Sequence, residues 1–321
     1  MNKFCIIDAH CDTIAKLSDQ NVSINKYGDT HVSIEGLKEG CVDIQFFAAC
    51  ICARDINDSP LQTALNLIEA FENMVKKYGD CFYPITKASD IHASKRAGKI
   101  GALLAIEGGD ALEGKISNLH LVYNMGVRLI TLTWNYNNEI GSAAMDTATE
   151  WGLTAFGAEV IKEMNRLGMI IDVSHLSEKA FWDVVEVSSP PIIASHSNAK
   201  ALCNHPRNLD DSQIKAIVEK GGVIGINFYP PFLSWHKADI HSIVNHIEYI
   251  AGLAGVDGVG FGSDFDGVDR LPEGVNGPQN FPDIIDELLR LNYTEESVYK
   301  ICYGNFFRLM ERILKGIGEE A

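Results

Sequence analysis

The sequence predicts an α/β protein that forms a single (β/α)8 barrel of the TIM type, and three observations predict it. The 321-residue chain contains eight short β-rich runs, and segments with helical spacing lie between them. The first run ends in DAHCD instead of the GxGxxG of a dinucleotide-binding sheet, which argues against an open doubly wound sheet. Because no linker or internal repeat interrupts this pattern, we predict one domain over residues 1–321.

The eight runs are predicted to be parallel strands, because most are nearly continuous apolar sequences rather than strict alternations. In chain order they are residues 4–9, 42–50, 100–106, 127–133, 169–174, 191–195, 222–228 and 259–263. Such strands are buried on both faces, as in a barrel covered by helices.

Helices are predicted where apolar residues recur every three or four positions. These segments are residues 59–78, 151–167, 177–187, 210–220, 240–253 and 282–291. We expect Gly168 to end the second, and Asp211 and Ser212 to be N-cap residues of the fourth. A last helix is expected from about residue 295, ending in a frayed acidic terminus.

Composition and charge exclude several classes of function. With 46% hydrophobic and 22% charged residues, the chain has ordinary globular composition. Its net charge of −16 argues against binding nucleic acid or an anionic membrane surface. We expect a cytoplasmic protein, because the first 12 residues lack a signal-peptide pattern and no stretch approaches the ~20 apolar residues of a membrane span. The eight cysteines form no CxxC pair, and most of them are expected to be free, buried thiols.

Polar residues follow five of the predicted strands, at the C-terminal rim where barrel enzymes place their chemistry. They are His10 and Asp12 after the first strand, Glu107 after the third, His175 after the fifth, His196 after the sixth and Asp264 after the eighth. Each residue alone is a weak signal. Three histidines and three carboxylates at one rim are a strong one.

Imidazole and carboxylate ligands suit zinc and, less selectively, manganese or cobalt. In an extended segment, residues i and i+2 point the same way, so His10 and Asp12 can bind one ion. His175 and His196 can bind a second, and the two oxygens of Glu107 can bridge both. Two ions about 3.5–4 Å apart hold and deprotonate a bridging water.

Asp264 is then left as the general base that takes the proton of this water and returns it to a leaving amine. In this interpretation the hydroxide that bridges the two metal ions is the nucleophile. The motif at the end of the eighth strand, FGSDFDG, contains this aspartate.

The chain resembles the renal dipeptidase (membrane dipeptidase) family of the amidohydrolase-like metal-dependent hydrolases. The blocks that carry the resemblance are IIDAHCDT, GGDALEG, DVSH, IASHSNA, HPRNLDD, INFYPPFL and GFGSDFDGV, in this order over nearly the whole chain. The resemblance implies a barrel enzyme that hydrolyses dipeptides with two zinc ions per chain. It also implies that a homodimer is a common state.

Matched position by position, the resemblance implies the same division of ligands between the two zinc ions, with Glu107 as the bridging carboxylate. Asp264 matches the acid/base residue of the family. Arg207, in PRNLDD, matches the arginine that meets the C-terminal carboxylate of the substrate, for which a bidentate guanidinium is suited. Tyr229, in NFY, matches a tyrosine that lines the substrate pocket.

The sequence departs from the family after the fourth strand. Mammalian members carry a histidine there that contacts the scissile carbonyl oxygen, whereas TLTWNYNNEIG places Trp134 at this position. An indole can donate a hydrogen bond but cannot be protonated. Two interpretations stay open: Trp134 forms a wall of the pocket, or Asn135 or Asn137 supplies the contact.

Two alternatives to a dipeptidase remain. Another amidohydrolase-type enzyme acting on a small amide would typically open with His-x-His or use a lysine after the fourth strand, and this chain has neither pattern at those places. A barrel that has lost its activity is disfavoured by the intact set of ligands, although Trp134 keeps this interpretation open.

Overall fold

The computed structural model describes residues 4–19, 21–25, 27–51, 58–146 and 151–314. The strands in this part are β1 (Ile6–Asp8), β2 (Val42–Cys50), β3 (Phe82–Ile85), β4 (Ile100–Glu107), β5 (Val127–Thr131), β6 (Ile170–Asp172), β7 (Ile193–Ala194), β8 (Val223–Ile226) and β9 (Val259–Phe261). Their order in the sheet is β2-β1-β9-β8-β7-β6-β5-β4-β3, and β2 also pairs with β4. Eight strands therefore close into a parallel barrel, with β3 as a ninth strand beside β4.

All eight predicted strands are present, and the predicted (β/α)8 fold class is confirmed. Burial on both faces is clearest in β4, all eight residues of which are buried. The sequence did not reveal β3, in which Tyr83 is half-buried and Pro84 is exposed. Proline lacks the N–H that a strand interior requires, so a strand that contains it gives a weak signal.

The described residues form thirteen α-helices. They are α1 (Thr13–Leu17), α2 (Ile34–Glu39), α3 (Pro60–Lys77), α4 (Ala88–Arg96), α5 (Ile116–Asn124), α6 (Ala155–Leu167), α7 (Glu178–Val187), α8 (Asp211–Glu219), α9 (Pro230–Leu233), α10 (Ile240–Ala254), α11 (Phe281–Arg290), α12 (Glu295–Tyr299) and α13 (Asn305–Ile313). Each of the six predicted helical segments matches one of them to within four residues at either end, and α10 and α11 each extend one residue beyond the prediction. The predicted C-terminal helix consists of α12, a π-helical segment (Lys300–Gly304) and α13, while the predicted frayed end at 315–321 lies outside the described residues.

The helix ends follow capping chemistry. Gly168 ends α6 with a φ of 70°, in the left-handed region, as predicted. The prediction that Asp211 and Ser212 cap α8 is wrong. Asp210 is the N-cap: its side chain accepts hydrogen bonds from the backbone N–H groups of Ser212 and Gln213, and the Gln213 side chain accepts in return from the N–H of Asp210.

The chain packs as two compact units, which we call the first unit (Met1–Phe46 and Ala194–Leu309) and the second unit (Phe47–Ile193 and Met310–Ala321). The prediction of a single domain stays a prediction. In the first unit, four buried phenylalanines pack with ring centroids 5.0–6.2 Å apart; they are Phe228, Phe261, Phe265 and Phe281. In the second unit, Phe47 of β2 packs against Phe71 of α3 and Phe82 of β3.

Two further expectations concern cysteines and membranes. The seven described cysteines are free thiols, as predicted, but only Cys11, Cys203 and Cys302 are buried, so the prediction that most are buried is wrong. The other four, Cys5, Cys41, Cys50 and Cys81, are half-buried. Burial raises the pKa of Cys11. Cys52 lies outside the described residues. Within the part of the chain that the structure describes, no helix has both the length and the apolar character needed to cross a membrane.

Candidate active site

In the first unit, His10 and Asp12 follow β1 on a segment that continues the strand pairing. The Cys11 N–H donates to the Phe46 carbonyl oxygen, and the Asp12 N–H donates to that of Phe265. Both side chains are buried, and His10 Nε2 lies 3.3 Å from Asp12 Oδ2. The two predicted ligands of one metal ion thus lie side by side.

Asp8, the last residue of β1, holds the start of this segment through buried hydrogen bonds. Its buried carboxylate accepts hydrogen bonds from the Ser263 N–H and hydroxyl, at 2.8 and 2.6 Å, and from Gln45 Nε2 at 2.9 Å. Burial raises the pKa of Asp8, and the hydrogen bonds from Ser263 and Gln45 oppose this rise. Asp8 therefore ties the end of β1 to the residues that follow β9 and to β2. We did not single it out from the sequence.

Asp264 lies beyond β9, with a φ of 63° that places its backbone in the left-handed region. Its Oδ1 lies 4.0 Å from His10 Nε2, and ligand atoms of His10, Asp12 and Asp264 lie within 4.8 Å of one another. A Cβ built on Gly267 would overlap both Asp12 Oδ2 and Asp264 Oδ1, so only glycine lets the chain pass this close to the two carboxylates.

His196 follows β7 and is buried, with its ring centroid 3.8 Å from that of His10. Its Nδ1 forms a 2.7 Å hydrogen bond with the Ser195 hydroxyl. A hydrogen bond at one ring nitrogen fixes the orientation of an imidazole and leaves the other nitrogen available as a metal ligand. The structure therefore brings His196 next to the pair that follows β1.

Arg207 and Tyr229, the predicted substrate-binding residues of the first unit, both contact Phe232. The buried guanidinium of Arg207 lies 5.6 Å from the ring centroid of Phe232, and the Tyr229 ring packs edge-on against that ring at 4.9 Å. Arg207 Nη2 also donates to the backbone oxygen of His196 at 3.4 Å. Burial raises the pKa of Tyr229, and the neighbouring Asp269 carboxylate adds to this rise.

Two buried asparagines of the first unit were missed in the sequence. Asn227 Nδ2 donates to Asp264 Oδ2 at 2.8 Å, and the backbone of Asn227 is hydrogen-bonded on both sides by the amide of Asn198. Asn198 lies within the IASHSNA block and Asn227 within the INFYPPFL block. Both residues therefore lie in sequence blocks that carry the resemblance to the dipeptidase family.

In the second unit, Glu107 and His175 form a contact of their own. Glu107 is the last residue of β4, and His175 Nε2 lies 2.9 Å from Glu107 Oε1. Both are buried, and His175 adopts a φ of 71°. Behind Glu107 the chain turns at Gly109, where a Cβ would overlap a side-chain carbon of Ile140 and the backbone oxygen of Leu132.

The loop after β5 contains the residues for which two interpretations were open. Trp134 is half-buried and packs edge-on against Tyr136, with centroids 5.6 Å apart. The Asn135 side-chain oxygen lies 3.0 Å from His175 Nδ1 and accepts a hydrogen bond from it. The Asn137 side-chain oxygen accepts from the Ala143 N–H within the loop. Contacts of Trp134 or Asn135 with a substrate stay predictions.

The chemistry of the donor set fits divalent metal ions. The first unit offers His10, Asp12, His196 and Asp264, and the second unit offers Glu107 and His175. Buried carboxylates are costly unless a cation or hydrogen-bond donors compensate them. Buried imidazole and carboxylate ligands are the combination that zinc takes in hydrolytic sites.

A parallel barrel with such groups after its strands defines a metal-dependent hydrolase of the barrel type. The sequence pattern of the membrane dipeptidase family (peptidase family M19) matches residues 1–316, and the chain belongs to this family. It is 29% identical to human dipeptidase 3 over 328 residues, which cover 98% of this chain and 66% of that protein. The chain thus spans about two thirds of the length of this curated relative, and the same holds for dipeptidase 3 of Macaca fascicularis, which is 28% identical.

Solved structures show the same fold. A crystal structure of a family M19 metallopeptidase, dipeptidase AC, superposes with a TM-score of 0.91 at 26% identity, over 98% of this chain and 100% of the other. A metallopeptidase from Rhodobacter sphaeroides, liganded with a phosphinate mimic of the dipeptide L-Ala-D-Ala, has a TM-score of 0.90 at 26% identity, over 97% and 100% of the two chains. The resemblance inferred from the sequence blocks is confirmed.

Proposed function

We propose that this protein is a binuclear zinc dipeptidase that hydrolyses the peptide bond of dipeptides. The observation that carries the proposal is the convergence of His10, Asp12 and Asp264, whose ligand atoms lie within 4.8 Å of one another in a barrel of family M19. A dipeptide as substrate is supported by the Rhodobacter sphaeroides relative, which was crystallised with a mimic of L-Ala-D-Ala.

In this proposal His10 and Asp12 would hold one ion, His175 and His196 would hold the other, and Glu107 would be shared between them. The bound ions would polarise the scissile carbonyl and lower the pKa of the attacking water. Manganese or cobalt would meet the same donor set, because these ions also accept imidazole and carboxylate ligands.

Asp264 moves the proton. Its carboxylate accepts a proton from the attacking water as the oxygen–carbon bond forms. The same proton then passes to the nitrogen of the breaking C–N bond, so that the amine leaves in a neutral form and the carboxylate is restored. Oδ1 is the oxygen placed for this transfer, since it lies on the side of His10.

Arg207 binds the free carboxylate of the dipeptide. A guanidinium offers two parallel N–H donors to a carboxylate, and burial strengthens this pairing because water competes less. Packing against Phe232 holds the guanidinium beside Tyr229, which lines the same pocket. Trp134 forms a wall of the pocket in this proposal.

The test uses a panel of dipeptides with L- and D-residues at the C-terminal position. Metal-loaded protein is expected to release free amino acids from some of them, and protein stripped with a chelator is expected to release none until zinc is restored. Asp264→Asn is expected to lose about 10²–10⁴-fold in kcat, with the metal content measured by mass spectrometry unchanged. A metal-replete protein that cleaves no dipeptide would refute the activity, and an active Asp264→Asn variant would refute the role of Asp264.

A further inference from the structure

Asn227 lies one residue beyond β8 and is completely buried. Its side-chain nitrogen donates a 2.8 Å hydrogen bond to Asp264 Oδ2. The two residues are 37 positions apart in the sequence. Because it binds the carboxylate of Asp264, the proposed proton carrier, the buried amide of Asn227 can fix the orientation of that carboxylate.

The orientation of the Asn227 amide is set by its other end. Its side-chain oxygen accepts a 2.6 Å hydrogen bond from the backbone N–H of Tyr229. An amide that was flipped would place an NH₂ group against that N–H, two donors facing each other, and its oxygen against a carboxylate. The nitrogen must therefore face Asp264.

The backbone of Asn227 is held as firmly as its side chain. The Asn198 side-chain oxygen accepts from the Asn227 N–H at 3.0 Å, and the Asn198 side-chain nitrogen donates to the Asn227 carbonyl at 2.9 Å. The side-chain amide of Asn198 thus forms hydrogen bonds with both the N–H and the carbonyl of Asn227, as the backbone of a neighbouring strand would. Asn198 is itself completely buried, and its carbonyl accepts from the N–H of Leu209.

We propose, on the basis of the proposed function, that Asn227 is a positioning residue that makes the two oxygens of Asp264 unequal. Oδ2 is anchored on the amide nitrogen of Asn227, and Oδ1 is left on the side of His10 to exchange the proton. Positioning of this kind matters because a proton carrier must stay within hydrogen-bond reach of both the water and the leaving nitrogen. Asn198 acts one step further away by holding the backbone of Asn227.

The test removes the amide with a side chain of similar size, in Asn227→Leu. We expect kcat on a cleaved dipeptide to fall about 10–100-fold, with KM within threefold of the wild-type value and an unchanged metal content. Asn118→Leu is the matched control, because Asn118 is also buried and donates from Nδ2 to the Leu112 carbonyl in the second unit. Its kcat is expected to stay within twofold of wild type.

A second readout does not depend on activity. Crystal structures of the wild type and Asn227→Leu, both free of metal, are expected to differ by more than 1 Å in the position of Asp264 Oδ2. If Asn227→Leu does not fold, Asn227→Ala takes its place with the same expectations. An unmoved carboxylate, or a kcat loss no larger than that of the control, would overturn the inference. A wild-type protein without dipeptidase activity would refute the proposed function. In that case the position of the Asp264 carboxylate in the two crystal structures would still test the positioning role of Asn227.

Discussion

The imidazoles of the candidate site owe their orientation to neighbouring side chains. Ser195 engages Nδ1 of His196, and Asn135 accepts from Nδ1 of His175. In the proposed site, Nε2 of each ring would bind a metal ion, and Nε2 of His175 faces the Glu107 carboxylate at 2.9 Å. Partners of this type contribute to metal binding without contacting the metal.

Asn135→Ala is therefore expected to weaken metal binding about 10–100-fold. Without the amide oxygen, His175 loses the acceptor that fixes its tautomer and ring plane. Competition with a chelator of known affinity measures the change. Asn137→Ala is the control in the same loop, because the Asn137 side-chain oxygen accepts from the Ala143 N–H of that loop. Unchanged metal affinity together with a raised KM would instead favour the substrate contact that the sequence predicted for Asn135.

Some residues of the site can be identified from the local sequence, and others only from contacts between distant parts of the chain. Asp12 and Asp264 could be identified because each follows a buried apolar run, and strand ends converge in a barrel. Asn198 and Asn227 could not be identified in this way, because their roles depend on hydrogen bonds between residues far apart in sequence. Asn198 and Asn227 are 29 positions apart, and Asn227 and Asp264 are 37 positions apart. Gly267 was missed for a related reason: only the fold shows that its Cα lies against two carboxylates.

At the scale of elements, the sequence predicts interiors better than ends. Apolar periodicity extends over a whole helix, whereas a boundary depends on a single hydrogen bond. The helix α6 begins at Ala155, four residues after the predicted start, because the Thr154 hydroxyl accepts from the Gly157 N–H. For α8, three successive polar residues could each cap the helix, and pattern alone does not choose among them.

Asp210→Ala is expected to lower the free energy of unfolding by about 1 kcal/mol. The variant removes two hydrogen bonds to backbone N–H groups at the start of α8, and it removes a negative charge from the positive end of the helix. Denaturant titration measures the change. Ser212→Ala is the control, since its hydroxyl donates to Asp210 and accepts from no backbone N–H among the described residues. A larger loss for Ser212→Ala would restore the cap that the sequence predicted.

On the scale of the whole molecule, the net charge of −16 has two components. Most acidic side chains lie at the surface, where water screens them. A few are buried beside imidazoles, Asp12, Glu107 and Asp264 among them. The buried ones impose an electrostatic cost that a bound metal ion would offset. Loading the site is therefore coupled to the stability of the fold.

A separate link between pH and global stability comes from His246, a buried residue of α10. Its Nδ1 accepts from the Ala199 N–H, and its Nε2 donates to the Leu233 carbonyl, so the folded protein holds the neutral imidazole. Burial lowers the pKa of His246 to about 4. Below pH 6.5 His246 becomes protonated in the unfolded chain, whereas in the folded chain it becomes protonated only near pH 4. Stability is therefore complete above pH 6.5 and falls as the pH drops from 6.5 towards 4, by on the order of 3 kcal/mol.

His246→Asn isolates this effect, because the amide oxygen of asparagine can still accept from the Ala199 N–H but does not titrate. Denaturant unfolding of metal-free protein between pH 7 and pH 4 is expected to show a smaller loss of stability for the variant than for the wild type. Titration of the other histidines and carboxylates occurs in both proteins and cancels in the difference. His236→Asn, at an exposed position, is expected to follow the wild-type profile. Parallel profiles for His246→Asn and the wild type would show that His246 does not link pH to stability.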